Sequence, residues 1–190
     1  MVFILRVQKS IVKRANGNNE SETQATDRNK AIAKTGLMLI ASGLLFWGSA
    51  EGQPHRGIEP QDRVPAAEQR VLELINAARR ARKLPALARN PLIDRQARQH
   101  SRSMALRHSG LHHRGFTERV RTVSTILFFR DAAENVARNQ GYEDCAQRAV
   151  EAWLASGKHR ESIEGDFTLT GIGGAVDRQG CFYFTQIFWR

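Results

Sequence analysis

The segment Cys181-Phe182-Tyr183-Phe184-Thr185-Gln186-Ile187-Phe188-Trp189 limits the choice of fold more than any other part of the chain. In an extended strand successive side chains point to opposite faces. Phe182, Phe184 and Phe188 then share one face, and Cys181, Tyr183, Ile187 and Trp189 share the other. Both faces are apolar, so both must be covered. Residues 167–176 read as a second strand, joined to the first by the turn Asp177-Arg178-Gln179-Gly180. The covering elements precede this hairpin. Ala67, Val71, Leu74, Ile75 and Ala78 recur at three- and four-residue steps and predict an amphipathic helix entered at Pro65. Asn90-Pro91 reads as an N-cap followed by a first-turn proline. The helix it opens carries Ile93, Ala97, Ser101, Met104 and Ala105 on one side. A third helix is predicted over about 143–156, with Ala146, Ala149, Val150, Trp153 and Leu154 inward and Gly157 ending it. Helices first and a hairpin last predict an α+β fold, with a small sheet between helical layers.

The N-terminal third reads differently. Residues 1–34 are polar and mixed in charge, with no sustained period, and are expected to be disordered. Residues 36–47 are uncharged and mostly apolar, too short for the roughly 20 residues of a membrane span. Lys30 and Lys34 precede them, and Gly48-Ser49-Ala50 follows. Residues 35–50 therefore fit a signal-peptide core cut after Ala50, or a signal anchor that stays uncleaved. Residues 51–65, with Pro54, Gly57, Pro60 and Pro65, read as a linker. One domain, 66–190, follows. The expected location is secreted or periplasmic, with membrane attachment only through an uncleaved 35–50 segment.

The formal charge is +10, yet residues 51–190 carry 22 basic and 16 acidic side chains, largely interleaved. No basic stripe with interleaved aromatics marks a nucleic-acid surface, and no such partner is expected. There is no Gly-x-Ser-x-Gly elbow, phosphate-binding loop or dinucleotide fingerprint. The glycines of Gly171-Ile172-Gly173-Gly174 lie within a strand pattern and are read as permitting close packing. Cys145 and Cys181 are the only cysteines. After export they would either bridge or stay as two buried thiols.

Residues with chemical potential are scattered. His112 and His113 stand in Gly110-Leu111-His112-His113-Arg114-Gly115, Glu134 in Ala133-Glu134-Asn135-Val136, and His159 in Ser156-Gly157-Lys158-His159-Arg160. Two imidazoles and one carboxylate are the minimal set for an open metal site or an acid/base pair. Spacing alone does not join them.

A resemblance does. Asn76-Ala77-Ala78-Arg79, Leu84-Pro85-Ala86-Leu87, Met104-Ala105 with Leu111-His112-His113, Ala133-Glu134-Asn135-Val136, 153–160, Thr170-Gly171-Ile172-Gly173 and 183–188 occur in order over about 125 residues. This series resembles the CAP superfamily (cysteine-rich secretory proteins, antigen 5 and pathogenesis-related class 1), in particular its bacterial SCP-domain branch. The resemblance implies a three-layer α-β-α sandwich with a small, mainly antiparallel sheet. It also implies a His/Glu-lined cleft, onto which His113 (or His112, one residue away) and Glu134 map. Two of four positions depart from the eukaryotic pattern, since Ser156 and Tyr183 stand where that pattern has Glu and His. His159 is then the expected second imidazole, with Asn135, Ser156 and Tyr183 as neighbours. The implied function is binding of a small ligand, such as a lipid-like or cell-envelope component, or of a protein partner. The alternative is a metal-assisted hydrolase in which His113, His159 and Glu134 hold zinc or another divalent ion.

Overall fold

A computed structural model describes residues 4–8, 60–107 and 110–190. The 35–50 segment read as a signal peptide or anchor, and most of the leader and linker, lie outside these residues.

The described domain is α+β. A 3-10 turn, Pro60–Arg63, leads into α1, Val64–Ala81, with a proline in its first turn, where no intrahelical N–H is needed. The 3-10 turn thus lies within the predicted linker, ahead of the expected domain start at residue 66. A short strand β2, Ala88–Arg89, is followed by α2, Pro91–Arg107, and α3, Phe116–Ser124. Then come β3, Asp131–Asn139, α4, Cys145–Ala155, and α5, Gly157–Glu164. The hairpin β4, Leu169–Val176, and β5, Phe182–Trp189, completes the domain. Asp144 caps α4 by accepting from the Gln147 N–H at 2.8 Å.

The leader contributes an element that its composition did not announce. Ile4–Gln8 is a strand, β1, paired antiparallel with β3 from Ile4 opposite Asn135 to Gln8 opposite Asp131. The expectation of disorder over 1–34 is corrected at these five residues. A segment this short carries no readable period, and it is the pairing with the β3 edge that makes it a strand.

Strand order is β1-β3-β5-β4-β2, antiparallel except for the β2–β4 pair. β5 is central and every one of its residues is buried, as its double-faced apolar pattern requires. On one face Phe184 and Phe188 pack with Val71 and Ile75 of α1, Trp153 of α4 and Ile163 of α5. On the other, Ile187 and Trp189 pack with Ile93 and Ala97 of α2 and Phe116 and Val120 of α3. Tyr183 lies on this second face too, against Met104 and Ala105. The three layers are therefore α1/α4/α5, the sheet, and α2/α3.

The glycines of β4 explain how closely α2 sits. A Cβ on Gly171 would lie 2.3 Å from the Ile93 carbonyl carbon, and one on Gly173 would lie 2.0 Å from the Arg98 nitrogen. Helix and strand meet backbone to backbone here, so these glycines serve packing, as read from the sequence.

The motif residues of α1 are structural. Asn76 exchanges two hydrogen bonds with the Leu87 backbone, at 3.1 and 2.8 Å. The buried Arg79 guanidinium donates to the carbonyls of Pro85, Ile163, Gly165 and Phe167 at 2.7–3.1 Å. A lone buried cation is costly, and these four acceptors, three of them at the C-terminal end of α5, offset that cost. Glu68, also buried, receives Arg89 and Arg98 at 2.6 Å each and the Gly174 N–H at 2.9 Å. That carboxylate ties α1, α2 and β4 together.

The cysteines do not bridge. Both are buried free thiols. Cys145 packs in the core on the α1/α4/α5 face and Cys181 in the cluster on the α2 face. The sheet separates them, which is why the bridge considered from the sequence does not form. Burial pushes the Cys145 thiol up.

Candidate functional site

The side chain of Glu134 points from the middle of β3 toward α2 and α3 and is fully buried. Arg119, on α3, grips it with both arms. Arg119 Nη2 lies 2.8 Å from Oε1 and 2.7 Å from Oε2, and Nε donates to Oε2 at 3.0 Å. Nη1 of the same guanidinium donates to the Arg114 carbonyl at 2.9 Å, and the group sits over the Phe116 ring. His113 Nδ1 approaches Glu134 Oε1 at 2.8 Å. Facing a carboxylate, that nitrogen carries the proton and donates it.

A second imidazole joins from α2. His100 Nε2 donates to the His112 carbonyl at 2.8 Å and stands 3.9 Å from Glu134 Oε1. Burial strips water from this ring and pulls its pKa down to about 4, with Glu134 opposing the shift and Arg119 adding to it. His100 is therefore neutral at pH 7. The His112 ring lies 5.2 Å from that of His100. Burial, then the nearby Arg114, lowers its pKa as well. Above this cluster α2 and α3 enclose a cleft of about 400 Å³, lined in part by His100, His112, Arg107, Arg114 and Arg119.

The structure brings together only two members of the expected trio. Glu134 and His113 meet, whereas His159 lies on the other side of the sheet. The reason is the strand period: neighbouring residues on β3 point to opposite faces. Asn135 faces α5, where its Nδ2 donates to the His159 carbonyl at 3.1 Å, and the His159 side chain is buried. Asn135 thus anchors α5 and leaves the cleft to Glu134. Ser156 sits at the junction of α4 and α5, on the same far side, and its carbonyl accepts from the Arg160 N–H at 2.9 Å. Tyr183 shares the face of Glu134 but stands opposite Arg138, four residues along β3, or about 13 Å. Its hydroxyl donates to Asp177 at 3.3 Å. His159, Asn135, Ser156 and Tyr183 are corrected accordingly: none of them joins the Glu134 cluster.

Sequence reasoning missed Arg119 and His100. His100 was discoverable, because it falls in the inward stripe of α2 beside Ala97, Ser101 and Met104, all buried. Arg119 carried no signal, since α3 itself was not foreseen.

A three-ligand metal centre does not fit. His159 is across the sheet, and a guanidinium occupies both oxygens of Glu134, placing positive charge where a dication would sit. Among the described residues no group of three His, Cys, Asp or Glu side chains converges as ligands.

Comparison with known proteins agrees with the architecture. The chain resembles solved structures of an outer surface protein from Borrelia burgdorferi (19% identity, 66% of this chain and 92% of that one, TM-score 0.57). It also resembles an extracellular protein containing an SCP domain from Bacillus anthracis str. Ames (24% identity, 73% of this chain and 45% of that one, TM-score 0.57). A third is a cysteine-rich secretory protein from Staphylococcus aureus (19% identity, 67% of this chain and 39% of that one, TM-score 0.53). The chain spans less than half the length of the last two. No curated protein sequence matches it. The model of the cysteine-rich secretory protein family, CAP, matches residues 72–188, well over half of the chain. The ordered motifs, the sandwich and this match lead to one conclusion: the chain belongs to the CAP family.

Proposed function

We propose that this protein is an exported binding module whose working surface is the cleft between α2 and α3. The carrying observation is the state of Glu134. It is fully buried, and Arg119 and His113 engage both of its oxygens at 2.7–3.0 Å. A carboxylate held this way is a poor general base, because taking a proton would break charge-assisted bonds in a dry environment. It braces the cleft wall by tying β3 to α3 and to the 110–115 segment. The groups facing the cleft are mainly imidazoles, guanidinia and amides, with the Ser103 and Thr122 hydroxyls and the Arg121-paired Glu118 among them, a set suited to recognising a polar ligand. A metal-assisted hydrolase is the weaker reading, since its ligand trio is divided by the sheet.

Export rests on the hydrophobic 36–47 segment with its small-residue flank. It is supported by the outer-surface and extracellular descriptions of the structural neighbours. Among the described residues no helix is long and apolar enough to cross a membrane. Cleavage after Ala50 removes β1 and leaves β3 as the sheet edge. N-terminal sequencing of the protein recovered outside the cytoplasm tests this, with a start at Glu51 expected and an intact Met1 contradicting cleavage.

The binding reading is tested by amide chemical-shift mapping with a small-fragment library. Hits are expected to cluster on residues 96–107 and 112–122 and to vanish in Ser103→Trp, which fills the cleft. Hits that map elsewhere, or that survive the tryptophan, contradict it.

A further inference from the structure

The exposed side of α2 carries a row of arginines that borders a groove. Arg95, Arg102 and Arg107 are exposed along it, and Arg114 is exposed across the cleft mouth. None of the four forms an ion pair among the described residues. On the opposite layer several exposed arginines are matched, Arg70 with Asp144 on α1 and α4, Arg82 with Glu164 and Arg148 with Glu151, and those that are not, such as Arg80 and Arg160, do not share a groove with one another. The one acid of α2, Asp94, is buried and already bonded to Arg89 and to the Ile172 N–H. A second concavity, open to solvent, runs along α2 past Arg95 and Arg102. It shares Gln99, Ser103 and Arg107 with the cleft, so the two form one continuous groove. The only carboxylate on its walls is Glu118, which Arg121 engages at 2.8 Å.

Like charges gathered along one helix repel one another, and a merely solvated surface would interleave acids, as α1 and α4 do. A guanidinium presents a planar fork that matches phosphate oxygens two at a time. From Arg95 to Arg107 the helix rises about 18 Å, enough for several phosphate groups in line.

We infer that the ligand of this groove carries two or more phosphate groups, gripped at the cleft mouth by Arg107 and Arg114 and followed along α2 by Arg102 and Arg95. This deepens the binding reading and rests on it. The sources of such chemistry are a phospholipid headgroup and a soluble or polymeric phosphate.

The test uses the full chain and inorganic tripolyphosphate, titrated calorimetrically in about 50 mM salt, where exposed charges are weakly screened. Arg102→Gln/Arg107→Gln is expected to weaken binding by about tenfold or more, each lost guanidinium removing charge-assisted bonds. The control Arg70→Gln/Arg148→Gln removes the same charge from the α1/α4 side and is expected to change affinity by less than about twofold. Circular dichroism checks that both remain folded. Sedimentation with vesicles of phosphatidylglycerol in phosphatidylcholine, against phosphatidylcholine alone, separates the sources. Vesicle binding lost in the Arg102/Arg107 variant identifies a headgroup, and tripolyphosphate binding without vesicle binding identifies a soluble phosphate. Equal losses in the two variants, or no tripolyphosphate binding, would overturn the inference. Tighter binding of an oligodeoxythymidylate than of a polyphosphate with as many phosphates would also overturn it, in favour of a nucleic acid. Fragments that still map to the cleft when tripolyphosphate does not bind would remove the phosphate assignment and leave the binding module standing.

Discussion

Glu134 and Asn135 are neighbours on β3, both are fully buried, and they serve opposite layers of the sandwich. Glu134 meets two charged or chargeable partners, Arg119 and His113, beneath an open cleft. Asn135 meets a backbone carbonyl of α5 in a closed core. The difference lies in the layers. The α1/α4/α5 layer is closed by large apolar side chains such as Trp153, Phe184 and Phe188. The α2/α3 layer separates above Glu134 and leaves room for a ligand. One layer holds the fold and the other presents a surface, and a single strand supplies both through its two-residue period.

The largest test of this contrast removes Arg119. Arg119→Met leaves the Glu134 carboxylate buried without its main partner, and a loss of about 3–5 kcal/mol in urea denaturation is expected. Replacing both members, as Arg119→Met/Glu134→Leu, is expected to recover much of that loss, because no uncompensated charge remains. On the other face, Asn135→Ala costs only a neutral hydrogen bond and is expected to lose about 1–2 kcal/mol. Equal costs for the two single variants would break the contrast.

Two adjacent glycines of β4 compare the layers by packing. Gly173→Ala would drive a methyl into the α2 backbone at 2.0 Å, whereas Gly174→Ala meets the Val64 side chain at 2.9 Å. The first is expected to cost about 3 kcal/mol and the second about 1 kcal/mol, because a side chain can shift where a helix backbone cannot. Chemical denaturation of both variants reads the difference directly.

The third test is pH. His100 faces Glu134, His113, Arg119 and the His112 ring, and it is held neutral with a pKa of about 4 against an ordinary value of 6.5. Between these values the unfolded chain binds a proton that the folded chain refuses, so stability falls as pH drops from 6.5 toward 4. The contribution is up to about 3 kcal/mol. His100→Gln should flatten this part of the profile, and an unchanged slope would show that the ring is not the source. The smallest effect is expected at Arg148→Gln, exposed on the closed layer, within about 0.5 kcal/mol of the parent protein.

Legibility in the sequence followed the strength of the local pattern. The hairpin was readable because a strand apolar on both faces leaves one arrangement open to it. Helices α1, α2 and α4 were readable because Val71, Ile75, Ile93, Ala97, Ala149 and Trp153 recur with the helical period and are buried where that period places them. Strand β3 was not read as a strand, since Asp131–Asn139 is built largely of alanine and polar residues with weak strand preference. Its pairing with β5 creates it. Helices α3 and α5 are only 9 and 8 residues long, too short to show a period.

By itself the sequence determined the layered α+β architecture, the packing role of the β4 glycines and the meeting of His113 with Glu134, the last through an ordered set of motifs. Tertiary structure alone decided which face each site residue joins. It sent His159 and Asn135 to the closed layer, brought Arg119 and His100 to Glu134, and kept Cys145 from Cys181. Motif order records position along the chain, and side chains along a strand alternate between its two faces, so only the pairing of β3 with its neighbours could assign those side chains to a face.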